Sequence, residues 1–319
     1  MENEGEIILK NKKLISKSAL NKKFRFNEIT CDLCNSKIVP LKGRLLEIAE
    51  TMKKIYSKKP TPTFVYDQRP VNFETTVRRA LYLLWRNDLT GKNILVLGDD
   101  DLTSIAIALI GEAKRIMVLD IDARLISFID KISKEYSLKI ETLKCDFTKG
   151  APEGLKGAFD VFLTDPTPNP DCFSLFISLG ASFLKKGKER VGYVSFFPSH
   201  QDIKIDFQKI LTAFDLIITD MIPRFTEYDF VQDTYKQKDK ELLEKFDSGE
   251  SKISFFENIT RFITTENTFK KISAAKNQKL PISKATKRII DHPEKDPAFL
   301  KGEKDFVLNE IKKIRNELC

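Results

Sequence analysis

The chain has 319 residues, 41% of them apolar, with a formal charge of +8 and a sequence pI near 9.0. That length and apolar share allow one large core plus a small appended unit. No run of about 18 apolar residues occurs, and Met1-Glu2-Asn3-Glu4 lacks the basic-then-apolar layout of a signal peptide, so a soluble, cytoplasmic protein without membrane contact is expected.

Five cysteines (Cys31, Cys34, Cys145, Cys172, Cys319) are odd in number and mostly scattered, which fits a reducing compartment. The positive charge belongs to the flanks. Residues 1–60 carry +7 and residues 231–319 carry +4, whereas residues 61–230 carry −3. A basic flank of this kind reads first as a solvated surface, and no specific nucleic-acid partner is expected.

Residues 1–62 form a small, Lys-rich N-terminal unit, closed by Lys59-Pro60-Thr61-Pro62. A helix ending near Trp85 follows. From residue 92 strands and helices alternate: strand Asn93–Leu97, helix Leu102–Glu112, strand Arg115–Asp120, then a helix through Leu125, Ile126, Ile129 and Ile132. Next come strand Leu138–Lys144, strand Phe159–Thr164, helix Cys172–Leu184, strand Arg190–Phe197, helix Asp202–Phe214 and strand Leu216–Met221. Ile259–Thr265 is expected to close the sheet, and the apolar positions Phe306, Val307, Ile311, Ile314 and Leu318 predict a last amphipathic helix. Strands separated by helices mean an α/β fold with a mostly parallel sheet covered on both faces. The expected units are 1–62, a catalytic unit at 63–270, and a helical tail at 271–319.

Ligands of open α/β sheets bind beyond the carboxyl ends of the strands. Gly98-Asp99-Asp100-Asp101 follows the apolar run Ile94–Leu97 and precedes a helix, where a nucleotide-binding protein would offer amides to a phosphate. Three carboxylates there repel a phosphate or an amino-acid carboxylate and attract a cation. Asp120 ends the next strand, about 20 residues past Gly98, where an acid takes ribose hydroxyls. Cys145-Asp146 is placed to meet an adenine edge. Asp165 directly follows the fourth predicted strand, and Asp220 leads into Arg224-Phe225-Thr226-Glu227-Tyr228. Asp101, Asp122 and Asp171 are equally in position to cap helices. The crowded acids should be accompanied by a cation or by raised pKa values.

Other signals are weaker. Cys31-Asp32-Leu33-Cys34 is half a zinc site without a second pair at finger spacing, and no metal is expected. Cys145 and Cys172 read as core thiols, and His200 as a helix cap. Phe196-Phe197 reads as core before it reads as an adenine wall. Residues 231–258 could order over bound ligand as a lid.

Asp67-Gln68, Glu74-Thr75-Thr76, Arg78-Arg79, Leu95-Val96-Leu97-Gly98-Asp99-Asp100-Asp101-Leu102-Thr103-Ser104, Leu119-Asp120-Ile121-Asp122, Phe159-Asp160 and Thr164-Asp165-Pro166 together resemble the branched-chain polyamine synthases. These archaeal and thermophilic aminopropyltransferases are also called bis(aminopropyl)spermidine synthases, and the resemblance spans about residues 64–230. It implies a class I methyltransferase-like (Rossmann-like) fold and decarboxylated S-adenosylmethionine as donor. The acceptor is spermidine at its central secondary nitrogen, with methylthioadenosine released. It also implies that Asp100 accepts the amine proton, with Asp165 as a second catalytic carboxylate. Gly98, Asp99, Asp120 and Asp146 would hold the donor; Asp67, Asp101, Glu227 and Tyr228 would hold the acceptor. The chain reads Asp165-Pro166-Thr167 where the family commonly reads Asp-Pro-Pro, and its basic flank is shorter than the extra N-terminal domain of longer members.

The chemistry of such a transfer matches the residues. An ammonium cannot attack a sulfonium carbon, so a carboxylate must take its proton and aim its lone pair. A carboxylate about 4 Å from a like charge costs several kcal/mol at intermediate dielectric, enough to reject ordinary S-adenosylmethionine. Two other readings remain open from sequence: an amino-group methyltransferase, and a non-enzymatic nucleic-acid-binding protein. A homodimer through the last helix is expected.

Overall fold

The computed structural model describes residues 7–10, 13–16, 37–63, 66, 68–69, 71–150, 152, 154–167, 170–196, 201–228 and 255–275. Cys31, Cys34, Asp67, Phe197, His200, His292, Cys319, residues 231–254 and the expected last helix lie outside them.

Strands β1 (Ile7–Lys10) and β2 (Lys13–Ser16) form a separate antiparallel pair. Helices α1 (Arg44–Tyr56) and α2 (Phe73–Trp85) come next. The α/β run is β3 (Asn93–Leu97), α3 (Thr103–Ile110), β4 (Arg115–Asp120), α4 (Ala123–Glu135), β5 (Glu141–Lys144), β6 (Val161–Thr164), α5 (Pro170–Phe183), β7 (Val191–Phe196) and α6 (Gln201–Ala213). Strands β8 (Leu216–Tyr228) and β9 (Phe255–Thr264) and helix α7 (Thr268–Ala275) complete it.

The sheet order is β5-β4-β3-β6-β7-β9-β8. Strands β5 to β7 are parallel, while β9 runs antiparallel to both β7 and β8. The chain leaves β3 in one direction toward β4 and β5, then returns to lay β6 on the other side. This reversal opens a crevice beyond the carboxyl ends of β3 and β6. The arrangement is the class I methyltransferase-like sheet that the resemblance implies.

Burial explains why these segments became strands. Ile94 through Leu97 and Val191 through Phe196 are buried on both faces, as central parallel strands require. One face packs Val96, Val118 and Leu163 against α2 and α3; the other packs Leu95, Leu97 and Phe162 against Phe173, Phe207 and Phe262. Phe196 belongs to that second core, stacked on Phe207 at 4.7 Å, so its core reading holds. Cys145 is buried among the same side chains.

Several boundaries differ from expectation by a few residues, β5 starting at Glu141 rather than Leu138 among them, and two of the differences shape the crevice. Strand β8 does not stop at Met221 but continues through Pro223 to Tyr228, and β9 starts at Phe255 rather than Ile259. Proline interrupts a ladder, yet β8 is the edge strand, and register shifts between Ile218 and Asp220 and between Ile222 and Thr226 absorb it. Arg224 takes φ +56 at the second irregularity. The extension carries Thr226 and Tyr228 to the crevice. Helix α1, though within the basic N-terminal segment, buries Met52 and Ile55 in the first core.

Candidate active site

The turn after β3 presents three consecutive carboxylates because its backbone is tightly folded. Gly98 sits at φ +70, a left-handed conformation that favours glycine, and its N–H donates to the Leu119 carbonyl at 2.9 Å. Leu102, with φ +57 and ψ +31, is also left-handed, at a cost of about 1–2 kcal/mol for a residue with a Cβ. Its side chain is fully buried, which holds the strained turn in place.

The three aspartates separate into different roles. The Asp99 carboxylate turns back on α3 and accepts from the Ser104 hydroxyl and from the Ser104 N–H at 3.3 Å. Asp99, which the resemblance places at the donor, thus ties the turn to the first turn of α3. Burial pushes Asp99 up to about 8, although the Ser104 bonds pull it down. Asp101 is committed to an ion pair with Arg79 at 2.5 Å and accepts the Val71 N–H at 3.3 Å. Asp100 is half-buried, and its carboxylate makes no hydrogen bond among the described residues. Burial, then the charge of Asp101, raises Asp100 well above the usual carboxylate range. Lys59 works against this; its ammonium donates to the Asp100 carbonyl at 3.3 Å and to Tyr56 Oη at 2.7 Å.

Arg79 is the cation that the acid cluster needs. From the buried face of α2 it bonds Asp101 with one terminal nitrogen and Asp165 with the other, and also reaches Thr226 Oγ1 at 3.3 Å. Burial opposes its charge, but Asp165 and Asp101 outweigh that and hold it above its ordinary value. Asp165, at the end of β6, is pushed up to about 6 by burial against the pull of Arg79. Its two oxygens lie 3.0 and 2.8 Å from Tyr228 Oη, which is also 2.7 Å from Glu257 Oε2. Burial, and then the Asp165 charge, push Glu257 up to about 8.

The remaining expected residues divide. Asp120 ends β4, and its carboxylate accepts the N–H groups of Asp99 at 2.9 Å and Asp122 at 2.7 Å, tying the turn to the neighbouring strand. Asp122 caps α4 through the Arg124 N–H, as its position before the helix predicts, and its bonds to the Arg124 side chain help hold it down to about 2. Asp146 lies beyond β5 and accepts from the Thr148 N–H and hydroxyl. Glu227 is not brought to the cluster. It pairs with Lys37 at 2.5 Å, because adjacent strand residues face opposite ways and Tyr228 faces the crevice.

Arg79, Glu257, Lys59 and Thr226 were not singled out as site residues from sequence. Arg79 stood within the quoted motifs, and the demand for a cation beside crowded acids was its signal. Glu257 had none, since the strand that carries it starts four residues before the expected Ile259. Among the described residues, no group of three or more His, Cys, Asp or Glu side chains could hold a metal ion, and no helix is long and apolar enough to cross a membrane.

The raised acids make a prediction for the unliganded protein. Asp99, Asp165 and Glu257 bind protons more tightly folded than unfolded, where they titrate near pH 4. The unfolded state therefore sheds protons first as pH rises, and stability falls between about pH 5 and 8. Thermal unfolding midpoints should decrease across that window, and E257Q should flatten part of the slope. A midpoint that climbs would contradict these assignments.

Comparison with known proteins points one way. The profile of the branched-chain polyamine synthase A C-terminal domain matches residues 47–280. The chain is 39% identical over 202 residues to the N(4)-bis(aminopropyl)spermidine synthase of Methanocaldococcus jannaschii, covering 62% of this chain and 57% of that protein. It is 36% identical over 230 residues to the enzyme of the same name from Thermococcus kodakarensis, covering 70% and 64% respectively. The branched-chain polyamine synthase of Thermus thermophilus, solved with N4-aminopropylspermidine and 5′-methylthioadenosine, superposes with a TM-score of 0.64 at 28% identity, covering 73% of this chain and 68% of that one. The chain spans 51–64% of the length of the curated relatives it matches.

Proposed function

Because the chain belongs to the branched-chain polyamine synthase family, we propose that it moves aminopropyl groups from decarboxylated S-adenosylmethionine to the central secondary amine of spermidine. The products are aminopropylspermidine, then bis(aminopropyl)spermidine, with methylthioadenosine released at each step. The observation that carries this reading is Asp100: of three adjacent acids, Asp99 is bound to Ser104 and Asp101 to Arg79, which leaves Asp100 to meet a ligand.

In this reading Asp100 takes one proton from the central ammonium and so exposes the lone pair that attacks the donor's aminopropyl carbon. Burial and the charge of Asp101 raise its proton affinity, which makes it a stronger base than an ordinary carboxylate. Asp165 and Tyr228 receive a neighbouring ammonium arm. Asp101 contributes through Arg79, and Asp99 through the shape of the turn. Asp120 and Asp146 retain lone pairs for the donor's ribose and adenine edge, beside the Gly98 turn. The acid lining disfavours a donor that keeps its carboxylate. We assign catalysis to residues 63–270, between the basic segment 1–62 and the tail 271–319, in a cytoplasmic homodimer without a required metal.

Incubation with spermidine and either donor, read by mass spectrometry, tests this. One or two added aminopropyl masses with the decarboxylated donor, and none with ordinary S-adenosylmethionine, is the expected result. A methyl group moved to an amine or a nucleic acid would replace the reading by a methyltransferase. Salt-sensitive DNA binding without turnover would replace it by a binding protein.

A further inference from the structure

Tyr228 Oη stands within hydrogen-bond distance of carboxylate oxygens from two side chains, Asp165 and Glu257. A phenol has one hydrogen to donate. Both contacts can be hydrogen bonds only if one of the two carboxyl groups keeps its own proton and donates it to the phenol oxygen. Arg79 decides which. Its guanidinium bonds Asp165 directly and favours the ionised form there, whereas Glu257 bonds only Tyr228 among the described residues. The order is then Glu257 carboxylic acid to Tyr228, Tyr228 to Asp165 carboxylate, and Asp165 to Arg79. The charged or titratable groups around Glu257 are Tyr228 on β8, Asp165 beyond β6, Arg79 on α2 and Arg69 ahead of α2.

From this geometry we infer that Glu257 is a positioning residue that releases its proton to solvent when a polyamine docks, so that cation binding and proton release are linked at this site. The inference rests on the polyamine-acceptor reading above. The exchange balances: Glu257 loses H⁺ to water, and an ammonium N–H of the ligand supplies the hydrogen bond and positive charge that the proton had supplied. The unliganded site thus avoids an extra unpaired buried negative charge, which would cost stability, and gains it only when a cation compensates. Glu257 is half-buried, so the proton has a way out. Its folded value of about 8 places the exchange in the physiological range.

Titration calorimetry of the whole protein with spermidine, in phosphate and in Tris at pH 7, counts the protons released. The two buffers differ in ionisation enthalpy, so the count follows from the difference in heats. Wild type should release up to one proton more than E257Q, whose amide can still donate to Tyr228. Spermidine affinity should rise by up to about tenfold per pH unit below pH 8 in wild type and less steeply in E257Q. Any proton lost by the ligand itself appears in both proteins and cancels. Equal counts would overturn the linkage and leave the acceptor reading standing; no spermidine binding by wild type would overturn both. If E257Q does not fold, the infrared difference spectrum of wild type decides. A protonated-carboxyl band that disappears on adding spermidine supports the exchange, and an unchanged band refutes it.

Discussion

Asp100→Asn is expected to lower kcat for aminopropyl transfer by about two to four orders of magnitude, the usual worth of a positioned base. The amide has nearly the shape of the carboxylate but cannot take a proton, so the fold should be unaffected. The Asp100 carboxylate has no hydrogen bond among the described residues to lose, and removing one of several crowded negative charges relieves repulsion. The unfolding midpoint should therefore stay level or rise while activity collapses. That opposition of signs separates a catalytic role from a structural one. Asp99→Ala should behave differently, because it removes the bonds to Ser104 and costs stability of about 1 kcal/mol. Mass spectrometry of the polyamine products beside thermal melts of both variants would check this. An Asp100→Asn enzyme with ordinary turnover would remove that residue from the reaction.

What the sequence disclosed of this molecule follows from periodicity. Central strands such as Asn93–Leu97 and Arg115–Asp120 are apolar on both faces and bounded by turns, and they fall where the pattern puts them. The turn acids were visible for the same reason, since everything at the carboxyl end of a parallel strand is brought to one crevice. Side-chain partnership is another matter. Asp99, Asp100 and Asp101 are chemically identical in sequence, and only the left-handed Leu102 and the approach of α2 make one a cap, one an ion-pair partner and one unengaged. Glu227 and Tyr228 looked equivalent because the irregularity at Pro223 hides which strand face each occupies. Glu257 escaped notice because its strand extends beyond its apolar stretch, held by pairing to an edge strand that was itself longer than its pattern.

Arg79→Met is expected to destabilise the protein by about 3–5 kcal/mol, the cost of removing one partner from a buried ion pair. Methionine fills much of the same space, so cavity formation contributes little. The loss comes from Asp101 and Asp165, both buried at the end of the sheet and both deprived of their counter-charge. Each can escape only by taking up a proton, so the destabilisation should grow as pH rises. Lysine would restore the charge but cannot bond two carboxylates in fixed directions, so R79K should recover part of the stability and less of the activity. Adding Asp101→Asn to Arg79→Met removes one of the orphaned charges and should return a measurable share of the loss, a non-additivity expected of residues in one network. Denaturant unfolding of the two single variants and the double variant at pH 6 and pH 8 gives every quantity needed. If the two substitutions simply add, with the same cost at both pH values, then Arg79 is packing and the acid cluster is held together by something else.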